Sequence, residues 1–152
     1  MKFSILYGTE SGNSELIAED LGDHLRTDHD DVVVQDLQHT DPAEITPDRF
    51  YLVVCSTHGS GDLPNSAVPF AQAFDENPPA LAGVRSAIFG LGDLFYEETY
   101  SQGSEHLDRR FTAQGAERVG PYGRHDASSW EVPSEAALEW LPQVLEAASV
   151  SA

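Results

Sequence analysis

Apolar residues along this chain follow two rhythms. Short apolar-rich runs occur at Phe3 to Tyr7, Val32 to Val34, Phe50 to Cys55 and Val84 to Phe89. Between them apolar residues recur at helical spacing: Ile17, Leu21 and Leu25; Phe70 and Phe74; Leu107 and Phe111; Leu138, Leu141 and Leu145. The runs predict strands and the periodic stretches predict amphipathic helices. Ala116 to Pro121 predicts a weaker fifth strand, and Pro142 predicts a kink or a restart in the last helix, because an interior proline removes a hydrogen bond. Five strands alternating with helices predict an α/β fold, a three-layer sandwich with a parallel sheet, helices on both faces and right-handed crossovers. The unbroken apolar character of Phe50 to Cys55 suits an interior strand covered on both sides. No repeat, linker or low-complexity tract interrupts the pattern, so residues 1–152 read as one domain.

In such sheets ligands bind beyond the carboxyl ends of the strands, near the point where strand order reverses. The loops expected there are Thr9 to Ser14, Ser56 to Pro64 and Gly90 to Ser101. Thr9-Glu10-Ser11-Gly12-Asn13-Ser14 concentrates hydroxyls, an amide and a glycine where a helix begins, a combination that suits an anion. The same residues also serve as ordinary caps. Gly8 to Leu25 contains no Lys or Arg, which excludes the lysine-bearing loop of nucleoside triphosphatases, whereas a single phosphate can be held by backbone and hydroxyl groups alone. Ser56-Thr57-His58-Gly59-Ser60-Gly61-Asp62-Leu63-Pro64 has two glycines that let backbone approach a flat ligand closely. Gly90-Leu91-Gly92-Asp93-Leu94-Phe95-Tyr96-Glu97-Glu98-Thr99-Tyr100-Ser101 pairs glycines with three aromatics able to cover a ring system.

Composition narrows the partners. The formal net charge is −18, with 26 acidic residues against 8 Lys and Arg, Lys2 being the one lysine. Phosphate backbones and anionic membranes are repelled by such a surface, whereas a basic protein face is attracted. The single cysteine, Cys55, excludes an internal disulfide, and no short-spaced thiolate set suggests a metal. Nothing in the first residues reads as a membrane span or a signal peptide, and the expectation is a cytoplasmic monomer.

Taken together, the three loops resemble those of the flavodoxin family over nearly the whole chain. Thr9 to Ser14 looks like the family's T-x-S/T-G-N-S/T phosphate loop. Val54 to Pro64 is similar to short flavodoxins of the MioC type and to the FMN-binding domains of diflavin reductases such as the sulfite reductase flavoprotein. Gly90-Leu91-Gly92-Asp93 followed by Tyr96 is similar to the flavin-stacking loop. The resemblance implies a five-stranded sheet in the order 2-1-3-4-5 and non-covalent binding of flavin mononucleotide (FMN). It implies that Thr9, Glu10, Ser11, Gly12, Asn13 and Ser14 hold the phosphate, and that Ser56, Thr57, His58, Gly59, Ser60, Gly61, Leu91, Gly92, Asp93, Phe95, Tyr96 and Tyr100 surround the ring. Tyr96 matches the outer stacking residue and His58 the inner one. Gly59 matches the position whose carbonyl accepts a hydrogen bond from flavin N5–H.

A flavin so placed performs redox chemistry that the protein tunes by stacking, hydrogen bonds and charge. Asp62, Asp93, Glu97 and Glu98 border the site and oppose a second negative charge, which favours one-electron traffic. His58, with an ordinary pKa near 6.5, is expected to raise the second potential when protonated. The resemblance thus implies an electron carrier between a basic-faced reductase and an acceptor enzyme. One alternative is an FMN-dependent NAD(P)H oxidoreductase, for which no nicotinamide fingerprint is visible. Another is the FMN subunit of a split diflavin reductase. A phosphoacceptor receiver domain shares the sheet order, but Ser56 stands where its aspartate belongs and no lysine follows the fifth strand. Trp130, Trp140 and Cys55 read as packing residues.

Overall fold

In a computed structural model the structure describes residues 2–9, 12–57, 62–92, 102–126 and 132–151. The elements run β1 (Phe3–Gly8), α1 (Asn13–Leu25), β2 (Val32–Asp36), β3 (Phe50–Cys55), α2 (Val68–Glu76), β4 (Arg85–Gly92), α3 (Gln102–Ala113), β5 (Glu117–Arg118), β6 (Gly123–Asp126) and α4 (Pro133–Ser151). All pairings are parallel, in the order β2-β1-β3-β4, with β5 and β6 both on the outer side of β4. This is the doubly wound α/β sheet the alternation predicts.

Strand periodicity divides the interior into two layers, because successive side chains point to opposite faces. Phe3, Ile5, Tyr7, Leu52, Val54 and Phe89 pack under α1 and α4 with Ile17, Leu21, Leu25, Trp140 and Val144. Leu6, Tyr51, Val53, Cys55 and Ile88 pack under α2 and α3 with Phe70, Phe74, Leu107 and Phe111. Every residue of β1 and β3 is buried, as central strands with two covered faces require. On the α2/α3 side Phe74 and Phe111 stack at 6.0 Å and Phe70 closes the cluster at 5.9 Å from Phe74.

Two expectations need correction. The fifth strand is divided: β5 pairs with Arg85 and Ser86, and β6 pairs with Phe89 to Gly92. The break falls at Gly120, whose φ of 78° is left-handed, followed by Pro121, which has no N–H for a ladder. Trp140 fixes the break by donating its indole N–H to the Pro121 carbonyl at 2.7 Å. The last helix, in turn, runs without restart through Pro142. Its buried stripe is Ala137, Trp140, Leu141, Val144 and Ala148, while Leu138 and Leu145 lie at the margin. Trp140 and Cys55 are packing residues as expected, with Cys55 fully buried and its thiol pushed well above the ordinary value by burial. Trp130 lies outside the described residues.

Candidate functional site

The registers bring the carboxyl ends of β1, β3 and β4 to one edge, with Gly8 opposite Cys55 and Cys55 opposite Gly90. Strand order reverses between β1 and β3, since β2 follows outward from β1 and β4 from β3. The first loop leaves β1 here and turns into α1 through Gly12, whose φ of 95° is left-handed. A side chain at Gly12 would be strained there, although the space around it is open.

Among the described residues no side chain caps α1, and the first-turn N–H groups, those of Asn13, Ser14 and Glu15 among them, have no carbonyl partner inside a helix. Thr9 arranges this terminus. Its Oγ1 accepts the Gly12 N–H at 2.7 Å, which leaves the hydroxyl proton to donate elsewhere. Ser66, in a short 3-10 turn at Asn65–Ala67, grips Thr9 from both sides: its Oγ accepts the Thr9 N–H at 2.8 Å and its own N–H donates to the Thr9 carbonyl at 3.4 Å. Ser14 is fully buried, with Oγ 3.0 Å from Ser56 Oγ, and Ser56 Oγ also donates to the Gly8 carbonyl at 3.1 Å. The ends of β1, α1 and β3 are therefore tied by hydroxyls. Ser14 turns its side chain inward, so what it offers a ligand is its backbone. Glu15 is held by the Tyr7 phenol at 3.0 Å; burial, reinforced by the Glu15 carboxylate, pushes that phenol up to about 12.

An uncapped, lysine-free helix N-terminus at the strand-order reversal, backed by hydroxyls, fits the phosphate of a mononucleotide. Beside it Ser56 and Thr57 are half-buried, and the first turn of α3 comes up against them. Gly103 N–H donates to Thr57 Oγ1 at 3.0 Å. A Cβ on Gly103 would lie 2.2 Å from the Ser56 carbonyl oxygen and 2.8 Å from Thr57 Cα, so this approach requires glycine. Gly90, Leu91 and Gly92, expected in the third loop, belong to β4, which runs on to Gly92. Leu91 buries its side chain under α4 and can serve the site only through its backbone. Glu10, Ser11, His58, Gly59, Ser60, Gly61, Asp93, Phe95, Tyr96 and Tyr100 lie outside the described residues; Asp62 is exposed at the margin of the second loop. Among the described residues no cluster of His, Cys, Asp or Glu is arranged to hold a metal ion, and no helix is long and apolar enough to cross a membrane.

Sequence reasoning missed Ser66 and Gly103, and with them the contacts of Ser104 and Tyr122. Gly103 carried a signal, since glycine in the first turn of a helix is unfavourable unless something must come close. Ser66 carried none, because a serine in a turn is ordinary.

Residues 5–140 match the flavodoxin family model, and the chain belongs to that family. It is 31% identical over 145 residues to the MioC homolog of Pasteurella multocida, covering 95% of this chain and 96% of that protein. To the sulfite reductase [NADPH] flavoprotein alpha-component of Zymomonas mobilis it is 37% identical over 145 residues, 94% of this chain but only 23% of that protein. The structure of a cysteine-to-alanine mutant of flavodoxin from Pseudomonas aeruginosa superposes with a TM-score of 0.82 at 30% identity, covering all of both chains.

Proposed function

We propose that residues 1–152 form one domain that binds a single FMN non-covalently and passes electrons one at a time from a reductase to an acceptor enzyme. The observation that carries this reading is the uncapped N-terminus of α1, without lysine or arginine, at the strand-order reversal and braced by Thr9, Ser14 and Ser56. Thr9, Glu10, Ser11, Gly12, Asn13 and Ser14 hold the phosphate through backbone N–H groups and hydroxyls. Ser56, Thr57, His58, Gly59, Ser60 and Gly61 line one side of the ring. Leu91, Gly92, Asp93, Phe95, Tyr96 and Tyr100 line the other. Bound flavin supplies the ability to take up and release single electrons.

The chain's residues orient the ring, exclude water from its inner face and set the local charge. Asp62 and the acidic residues of the third loop oppose extra negative charge at the ring, which favours one-electron over two-electron traffic. With −18 overall, the partners are basic-faced proteins, and pairing with them weakens as salt rises. The setting is the cytoplasm and the carrier is monomeric. A second reading, the FMN subunit of a split diflavin reductase, is favoured by the likeness to the sulfite reductase flavoprotein.

Anaerobic mixing of the FMN-loaded protein with NADPH, with and without an added flavoprotein reductase, tests the role. The expected result is no reduction by NADPH alone and rapid reduction with reductase, at a rate that falls with salt. Direct oxidation of NADPH by the protein alone would make it an oxidoreductase instead.

A further inference from the structure

From β5 to β6 the chain is pinned to α3 at three points. Tyr122 OH hydrogen-bonds Ser104 Oγ, and Ser104 is fully buried. Arg124 pairs with Glu105 at 2.9 Å, and Arg118 with Asp108 at 2.7 Å. The two guanidinium groups lie over the Tyr122 ring, Arg124 at 4.0 Å and Arg118 at 5.2 Å from its centroid. Spacings of four and three place Asp108 beside both Ser104 and Glu105 on the helix surface. Burial pushes the Tyr122 phenol up to about 12, so it stays a neutral hydroxyl across the physiological range.

The strand break aims this tyrosine. Gly123 faces α4, because a Cβ there would meet Phe89 and Trp140 at 2.4 and 2.9 Å. Its neighbour Tyr122 therefore turns to the opposite face, where it packs on the α2/α3 layer. One residue before Ser104, the backbone of Gly103 touches Ser56 and donates to Thr57, with no side chain between to absorb movement. Sequence residues 93–101 lead directly into this same turn.

Resting on the FMN reading above, we propose that Tyr122 is a positioning residue for the flavin. Through Ser104 it sets the first turn of α3 against Ser56 and Thr57. Ring geometry and potential at the site then depend on a phenol at the edge of the sheet. The arginines hold the aromatic ring while the hydroxyl sets the helix position. Removing the hydroxyl alone should thus leave the fold intact and loosen the site.

The test uses the full chain and the variants Tyr122→Phe and Ser104→Ala, with Arg109→Ala as control; Arg109 is exposed on α3 and reaches toward His106. FMN affinity, visible circular dichroism of the bound flavin and both midpoint potentials are measured, together with thermal midpoints of the apoproteins. Loss of one net hydrogen bond corresponds to roughly a two- to tenfold change in an equilibrium. Each variant should weaken FMN by about fivefold, alter the flavin dichroism and shift the potentials, while Arg109→Ala matches the native protein. The double variant should be no worse than Ser104→Ala alone, since the Tyr122–Ser104 bond is already lost there. Lower apoprotein midpoints with native dichroism and potentials in the FMN-saturated variants would reduce Tyr122 to a structural role and overturn the inference. Should Tyr122→Phe not fold, Ser104→Ala alone decides by the same readouts. A native chain that takes up no FMN overturns the underlying reading and this one with it; native binding with unaltered variants overturns only this one.

Discussion

Gly103 is the residue on which the geometry of the site leans most. Its backbone stands against the Ser56 carbonyl where a methyl group would lie 2.2 Å away, and neither partner can yield cheaply because both contacting atoms belong to main chain. Gly103→Ala is expected to destabilise the protein by about 1–3 kcal/mol, the range for forcing extra volume into a packed site. FMN affinity should fall more than that of a surface variant of equal stability. Thermal unfolding and flavin titration check this, and an alanine variant with native values for both would show that α3 can move freely. At the opposite edge of the sheet, Arg49 grips both carboxylate oxygens of Asp31 at 2.9 and 3.0 Å and reaches Ser4 Oγ at 2.7 Å and the Phe3 carbonyl at 2.6 Å. The Arg49 hydrogen bonds hold the Asp31 carboxyl below its usual range. A carboxyl depressed in the folded state contributes stability above its unfolded pKa of about 3.9 and loses it as pH falls through the lower folded value. Asp31→Asn should therefore be less stable than the native protein at neutral pH, with the difference closing in strong acid. A difference constant across pH would contradict the pairing.

Elements were legible wherever one face pattern dominated. β3 runs over Phe50–Cys55 as the unbroken apolar stretch predicts, and Ile17, Leu21 and Leu25 mark α1 because they form its buried stripe. The turn from β1 into α1 was legible too, since Gly12 and the flanking hydroxyls are local signals. Less legible were features decided by distant parts of the chain. The division of the fifth strand depends on Trp140 reaching the Pro121 carbonyl from α4. The length of β4 depends on pairing with β6, which carries strand structure through Gly90 and Gly92. Pro142 does not restart the helix, because it is exposed on a helix whose other face is locked into the core by Trp140, Leu141 and Val144. Packing on that side outweighs one missing hydrogen bond, whose cost the fold still carries. Replacement by alanine restores the N–H and removes the ring clash without touching the core, so Pro142→Ala should gain about 1–3 kcal/mol. Chemical denaturation measures it, and a loss of stability would mean that the proline shapes α4 in a way the fold requires.

At the scale of the whole molecule, two core layers press a parallel sheet between helix pairs, and the strand-order reversal opens one end for a ligand. The −18 charge is spread over the chain; it leaves the fold unspecified but governs what can approach. Such a surface repels other anions, and so it disfavours a phosphate unless backbone dipoles outweigh the general repulsion. The helix terminus prepared by Thr9, Ser14, Ser56 and Ser66 supplies those dipoles. Whether a flavin sits there is the claim on which the rest depends. The direct measurement is the stoichiometry and affinity of FMN for the purified chain, read from the visible spectrum and from quenching of flavin fluorescence on titration. One FMN per chain is expected, released by acid without covalent residue. Thr9→Ala should weaken it roughly ten- to hundredfold through loss of one hydroxyl that braces Gly12 and is free to donate to the phosphate, a charge-assisted bond being worth roughly 1.5–3 kcal/mol. A colourless protein whose addition leaves the fluorescence of FMN unchanged would contradict the reading.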